Sequence, residues 1–346
     1  MSEMTLDGVL ETVEETHKND WHATTVFEKI RMDENGMITG EGDLPFQALS
    51  MNHKSSKQLL SMLGLQKNFL ERLTPDIYAP VVNRFLENHY AKGIQVRGNE
   101  QMIRGFVGPR YNPIDDLALA RIMHELFSKN PDIRVKDFQL KDESFSLRLF
   151  NDSMALNEVG DLRGGIHVYN SEIGLHDTEI TPFVERLACT NGMVVYMKDG
   201  ENAKNHTDYG CGSCGKGYRR VKDAIKIDRS VTDPEEFRQA IIGYASTAMH
   251  LSEQGMNEFA NTNNIVVNYP LALIKHLSKK EGFDEDTTDR VLDAWYQEQA
   301  QTKFSVINAF TATAKEMDGI EKHDMEAFAG DLVFSCLPEE KDYLDN

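Results

Sequence analysis

Residue periodicity in this chain points to an α+β protein: a central antiparallel sheet with helices, followed by a mostly helical C-terminal half. Two observations give the sheet. IQVRGNEQMIRGFV (94–107) alternates apolar and polar residues about an Arg97-Gly98-Asn99 turn, and VKDFQLKDESFSLRLF (135–150) alternates again about Lys141-Asp142-Glu143. Alternation about a turn-forming tripeptide is the mark of a hairpin. The third observation is helical spacing that runs almost unbroken from Thr232 to the end.

Taken in order, residues 1–45 are acidic with scattered apolar positions and read as a partly ordered arm. Ser55 to Leu73 has helical spacing at Leu59, Leu60, Met62, Leu63, Leu70 and Leu73. Thr74-Pro75-Asp76 supplies a cap, a first-turn proline and an acid for a second helix ending near His89. The first hairpin follows, then a helix over 115–127 and the second hairpin. Short strands are expected near 165–169 and 193–197, with a short helix between them starting at Thr181-Pro182 and ending at Cys189. Thr232-Asp233-Pro234-Glu235-Glu236 opens the helical half, with later helices near 271–279, 287–299, 304–317 and 324–334. The expected units are an N-terminal arm (1–45), a mixed α/β core (46–230) and a helical region with an acidic tail (231–346).

Composition narrows the function. Hydrophobic residues make up 40% and charged residues 27% of 346 residues, as in a globular protein. No apolar run approaches the roughly 18 residues of a membrane helix. The acidic N-terminus lacks a signal-peptide pattern, so a cytoplasmic location is expected. The formal net charge is −19, but it is unevenly spread. Residues 1–49 hold three basic against eleven acidic residues, and 231–346 hold nine against twenty-two. Residues 50–150 hold fifteen against eleven, and 200–230 hold seven against four. A local basic groove for a phosphate chain is therefore compatible with the acidic total, whereas a non-specific polycation is not.

Three stretches carry candidate chemistry. NHTDYGCGSCGKGYRR (205–220) matches both G-x-G-x-x-G and the start of a P-loop. However, NHTDY makes a poor buried strand, and Gly217 stands where a P-loop needs Ser or Thr. Cys211-x-x-Cys214 has zinc spacing, with His206 or Cys189 as further ligands, so zinc is the candidate cofactor and a plain glycine loop the alternative. The same stretch brings Lys216, Tyr218, Arg219, Arg220 and Lys222 together. With Arg97, Arg104, Arg110 and Tyr111 from the first hairpin, they form a basic and aromatic set that suits single-stranded DNA or RNA. Solvated hairpin faces are the competing account of those arginines.

The segment 163–192 is the third stretch, dense in polar side chains on glycine-rich turns. His167, Glu172, His176 and Arg186 are its candidates if the protein is a hydrolase or transferase. His167 alternates with Ile166 and Val168, so it points away from them. Cys189 reads more simply as a small buried thiol. The four cysteines are expected to be reduced.

RGFVGPRYNPIDD (104–116), SLRLFND (146–152), GGIHVYNSEIG (164–174), VERLACTNGMV (184–194), INAFTATA (307–314) and FAGDLVF (328–334) occur in that order. Together they resemble the phage/plasmid-like protein family, a domain of unknown function carried on phages, plasmids and integrated elements. The resemblance covers roughly residues 90–335 and leaves out the glycine-cysteine loop at 210–217. It implies a mobile-element protein without supplying a mechanism. The functional expectation is a nucleic-acid-binding protein acting on single strands in replication or recombination. An enzyme sited at 163–192 is the second expectation. An acidic decoy against host defence is the third, with a host protein as partner and Asp284-Glu285-Asp286 and Glu339-Glu340 as its charge. A homo-oligomer is compatible with all three.

Overall fold

A computed structural model describes residues 4–65, 72–89, 92–156, 162–186, 193–196, 225–226, 233–317, 319–334, 337–338 and 340–344. The α+β architecture is borne out, with two sheets and a C-terminal half built from helices.

Helix α1 (Leu6–Thr16) is capped by Thr5, whose hydroxyl accepts from the Gly8 amide. Strands β1 (Trp21–Val26), β2 (Ile30–Met32), β3 (Ile38–Gly40) and β4 (Ala48–Met51) follow, then helices α2 (His53–Met62) and α3 (Pro75–Asn88). The expected hairpin is β5 (Gly93–Gly98) and β6 (Met102–Val107). These six strands form one sheet in the order β1-β5-β6-β4-β3-β2, antiparallel except for β4 with β6. Ile30, Ile38, Leu59, Val82, Leu86, Ile94 and Ile103 fill a core between this sheet and its two helices.

The N-terminal arm is thus a correction. Residues 1–45 contribute a helix and three strands, and the boundary expected at 45/46 falls between the hydrogen-bonded strands β3 and β4. Acidic residues on the solvent side of α1, such as Glu11, Glu14 and Glu15, lower the segment's mean hydropathy and mask Leu6, Val9 and Val13. Those three side chains are buried against helix α4 (Asp116–Phe127).

The second sheet is wholly antiparallel: β11 (Met193–Tyr196), β10 (Glu179–Arg186), β9 (Leu162–Asn170), β8 (Ser144–Leu156) and β7 (Ile133–Lys141), in that order, with β12 (Ile225–Lys226) also on β10. The short helix expected from Thr181-Pro182 is instead strand β10, because Ile180, Pro182 and Val184 alternate with Thr181, Phe183 and Glu185 in register with β9. Phe145, Leu147, Leu149, Ile166, Val168 and Ile180 point to one face and pack on α1, α4 and the first half of helix α5 (Pro234–Asn261). Helix α5 has 28 residues and spans about 42 Å at the usual helical rise. Its second half, through Met256 and Phe259, enters a separate core. There it meets α6 (Pro270–Glu281), α7 (Glu285–Glu298), α8 (Lys303–Ala314), α9 (Gly319–Phe334) and α10 (Glu340–Leu344). The expected break near residue 230 therefore precedes a helix that ties the sheet to the helical half.

Gly165 is required by this packing. A Cβ there would lie 2.1 Å from the Leu149 carbonyl oxygen and 2.8 Å from the Phe183 ring. Gly165→Ala is expected to destabilise the fold by about 1–3 kcal/mol through overpacking. A thermal midpoint equal to wild type would contradict that.

Candidate functional site

The polar turn after β9 is the meeting point of the two sheets. Asn170 is fully buried; its Nδ2 donates to the Ile114 carbonyl (2.7 Å) and to Asp116 Oδ1 (2.6 Å), and its Oδ1 accepts from the Thr178 hydroxyl. Ser171 donates to the Glu143 carbonyl at 2.8 Å, and its own carbonyl accepts from the Tyr111 hydroxyl at 3.0 Å. Ile173 rests where a Cβ on Gly105 would sit, and its carbonyl accepts from Gln58 Nε2 at 2.7 Å. Gln58 Oε1 in turn accepts from the Phe106 amide. Each residue from 170 to 173 thus bonds or packs onto another element.

Glu172 is the electrostatic centre. Its Oε1 accepts from the Asp116 amide at 2.8 Å, so a carboxylate from another segment caps the positive end of α4. The formal cap, Asp115, makes no side-chain cap bond and instead accepts from Arg97 Nη2 at 2.7 Å. Glu172 Oε2 lies 3.2 Å from Arg104 Nη1 and 3.6 Å from Arg97 Nη2. Arg104 also donates to Asp20 and, through Nε and Nη2, to the Asp142 carbonyl at 3.1 and 3.0 Å. His17 closes the group with Nδ1 2.6 Å from Asp20 Oδ2.

His17, Asp20 and Glu172 offer three ligand atoms within 4.8 Å of one another, a spacing a metal ion could use. Arg104 Nη1 sits against all three, bonded to Asp20, 3.2 Å from Glu172 Oε2 and 3.3 Å from His17 Nδ1. The guanidinium occupies the position a cation would take, so this donor set does not fit a metal.

These contacts correct part of the nucleic-acid expectation. Arg97 and Arg104 are only 8% and 4% exposed and face carboxylates, so neither is presented to a phosphate. Tyr111 is half-buried with its hydroxyl bonded to Ser171, while Arg110 is exposed on the loop after β6. Glu172, an enzyme candidate by sequence, is buried in the seam against Arg97, Arg104 and His17. Lys216, Tyr218, Arg219, Arg220, Lys222, Cys189, His206, Cys211 and Cys214 lie outside the described residues; Arg186 ends β10.

The opposite face of the second sheet carries the remaining candidates. His167 lies across from Arg148 on β8 and Thr181 on β10, and Tyr169 across from Ser146 and Glu179. His167 Nε2 is 2.8 Å from Ser146 Oγ. The ring centroids of His167 and Tyr169 are 6.0 Å apart, and those of Tyr169 and His176 are 5.3 Å apart. Burial, with smaller help from Glu143 and Glu179, raises the Tyr169 pKa. Arg163 lies 4.9 Å above the Phe150 ring. Two carboxylates of this face have cationic partners: Asp152 pairs with Arg134 and Arg163, and Glu185 with Lys136. Sequence reasoning reached His167 and His176 but missed Ser146, Arg148 and Tyr169. The alternation of SLRLF with the same period as GIHVY was the available signal, because paired strands of equal period share a face.

Asp284, read earlier as decoy charge, caps α7 by accepting from the Thr287 amide at 2.8 Å. No described helix is long and apolar enough to cross a membrane.

Fold and site together define an α+β protein with a buried ionic seam between two sheets and a partly exposed polar, aromatic sheet face. No protein-family model, no curated protein and no solved structure matches the chain.

Proposed function

We propose that the outer face of the second sheet is a docking surface for single-stranded nucleic acid, DNA or RNA. One observation carries the reading: the Tyr169 ring lies edge-on to those of His167 and His176, and Arg148 stands directly across from His167 on the neighbouring strand. Aromatic rings on a β-surface stack bases, and nearby cations follow the backbone. The basic set at 216–222 and the mobile-element resemblance are consistent with it. Binding of a fluorescent single-stranded oligonucleotide is expected to weaken steeply with salt. Tyr169→Ala is expected to weaken it on the order of tenfold, the usual scale for one stacked base, and Arg148→Ala to reduce the salt slope by about one. His176→Ala, on an exposed turn, tests this face with little risk to folding. Affinity that ignores salt, or that survives all three changes, would remove the reading.

A second reading rests on the Ser146–His167 contact, which places a hydroxyl on a histidine nitrogen as in a hydrolase or transferase nucleophile pair. Covalent labelling of Ser146 by a serine-reactive phosphonate, lost in His167→Ala, would favour the enzyme. Unlabelled protein that still binds oligonucleotide would favour the binder.

A further inference from the structure

We propose that the cluster around Glu172 is a proton-operated latch between the two sheets, taking up protons as the seam closes and releasing them as it parts. The charge count points there. Two guanidiniums, Arg97 and Arg104, meet four carboxylates, Asp20, Asp115, Asp116 and Glu172. Asp115 reaches solvent with its side chain 59% exposed, but those of Asp116 and Glu172 are 1% and 4% exposed. Four carboxylates against two cations in a cluster this far from water are costly to keep fully ionised. Two protons restore neutrality, and His17 and Asp116 are placed to hold them, with His17 Nε2 3.7 Å from Asp116 Oδ2. His17 Nε2, Arg97 Nη1 and Glu172 Oε2 are buried and make no geometric hydrogen bond, and Glu172 Oε2 rests on its ion pairs with Arg104 at 3.2 Å and Arg97 at 3.6 Å.

Every element packed on the cluster contributes a facing group. Asp116 is faced by Glu172 from the turn, His17 from α1, Arg104 from β6 and Asn170 from β9, with Tyr169 beyond. His17 is faced by Asp20, Glu172, Arg104 and Asp116. Arg97 on β5 is faced by Asp115, Glu172 and Tyr111. Burial first, and the Glu172 charge second, push the Asp116 carboxyl up to about 7, against the pull of Asn170, His17 and Arg104. At His17 burial opposes the charge, but the Asp20 hydrogen bond and Glu172 outweigh it and raise the pKa.

Both groups hold protons more tightly when the seam is closed than in an opened chain. Asp116 therefore stabilises the seam fully below its ordinary 3.8, and that contribution is lost as pH rises to about 7. His17 stabilises it fully below 6.5, and that contribution is lost as pH rises through its higher closed-state value. The latch is tighter in acid and looser in alkali.

Hydrogen exchange on the full chain tests this without any nucleic acid, so its outcome is separate from the reading above. From about pH 6 to about pH 8, one carboxyl titrating near 7 raises the opening constant about tenfold. After correction for intrinsic exchange, amides 103–106, 116–119 and 170–175 should lose that much protection while those of α7 and α8 do not. Asp116→Asn, which holds the neutral form permanently, should reduce the dependence to the part carried by His17. Protection at the seam that is the same at both pH values, or an Asp116→Asn protein with the wild-type slope, would overturn the latch. Should Asp116→Asn not fold, the wild-type profile alone decides.

Discussion

Arg104→Met should lower the stability of this protein by about 3–5 kcal/mol, the usual consequence of removing one partner from a buried ionic group. The guanidinium satisfies two carboxylates and the Asp142 carbonyl at once. Without it Asp20 and Glu172 face each other across an apolar side chain, and the Asp142 carbonyl loses both donors. A folded protein has about 5–15 kcal/mol in total, so the loss is a large fraction. Urea unfolding should show a lower midpoint with an unchanged slope. Glu172→Gln keeps an acceptor for the Asp116 amide and removes the charge, so its cost should be smaller. The double variant should cost less than the two single changes added together, since each strands the other's partner. Additive losses would mean that the pair does not act as a unit.

Asn170→Ala comes next in size, at about 3 kcal/mol, because it leaves more than one buried polar group unpaired. The Ile114 carbonyl, Asp116 Oδ1 and the Thr178 hydroxyl all lose the same side chain. The loss should grow with pH, since the Asn170 hydrogen bond is one of the influences that lower the Asp116 pKa. Asn170→Asp is the sharper probe. It keeps the shape but places a further carboxylate beside Asp116, so the thermal midpoint should fall most near neutrality and recover in acid. A pH-independent midpoint for Asn170→Asp would show that the cluster does not sense charge.

Most secondary elements could be read along the chain. The 94–107 and 135–150 hairpins, helix α4 and the helical half all follow local periodicity, and all are present. The misread elements have local causes. At 1–45 strong acidity masked three short strands, of which β1 pairs with the distant β5. At 181–182 a threonine-proline pair that normally starts a helix lies within strand β10, with Pro182 opposite Ile166.

The candidate site divides differently. NSEI (170–173) was legible as a special segment, since four polar or bulky residues on a tight turn have no place in a plain strand. Its role was not legible, because its partners come from residues 17, 58, 97, 104 and 116. The alternation of β5 says that Arg97 lies off the apolar positions Ile94 and Val96, but not that another turn covers it with a carboxylate.

What this chain's residues determine by themselves is therefore periodicity: which stretches are strand or helix, and which side of each element is apolar. Tertiary structure alone decided which polar side chains meet water and which meet each other. The reason is physical: a helix or strand follows from neighbours within a few residues, whereas the state of a charge depends on what is packed against it from distant segments. Arg104 is buried because Asp20 and Glu172, from distant segments, both reach its Nη1.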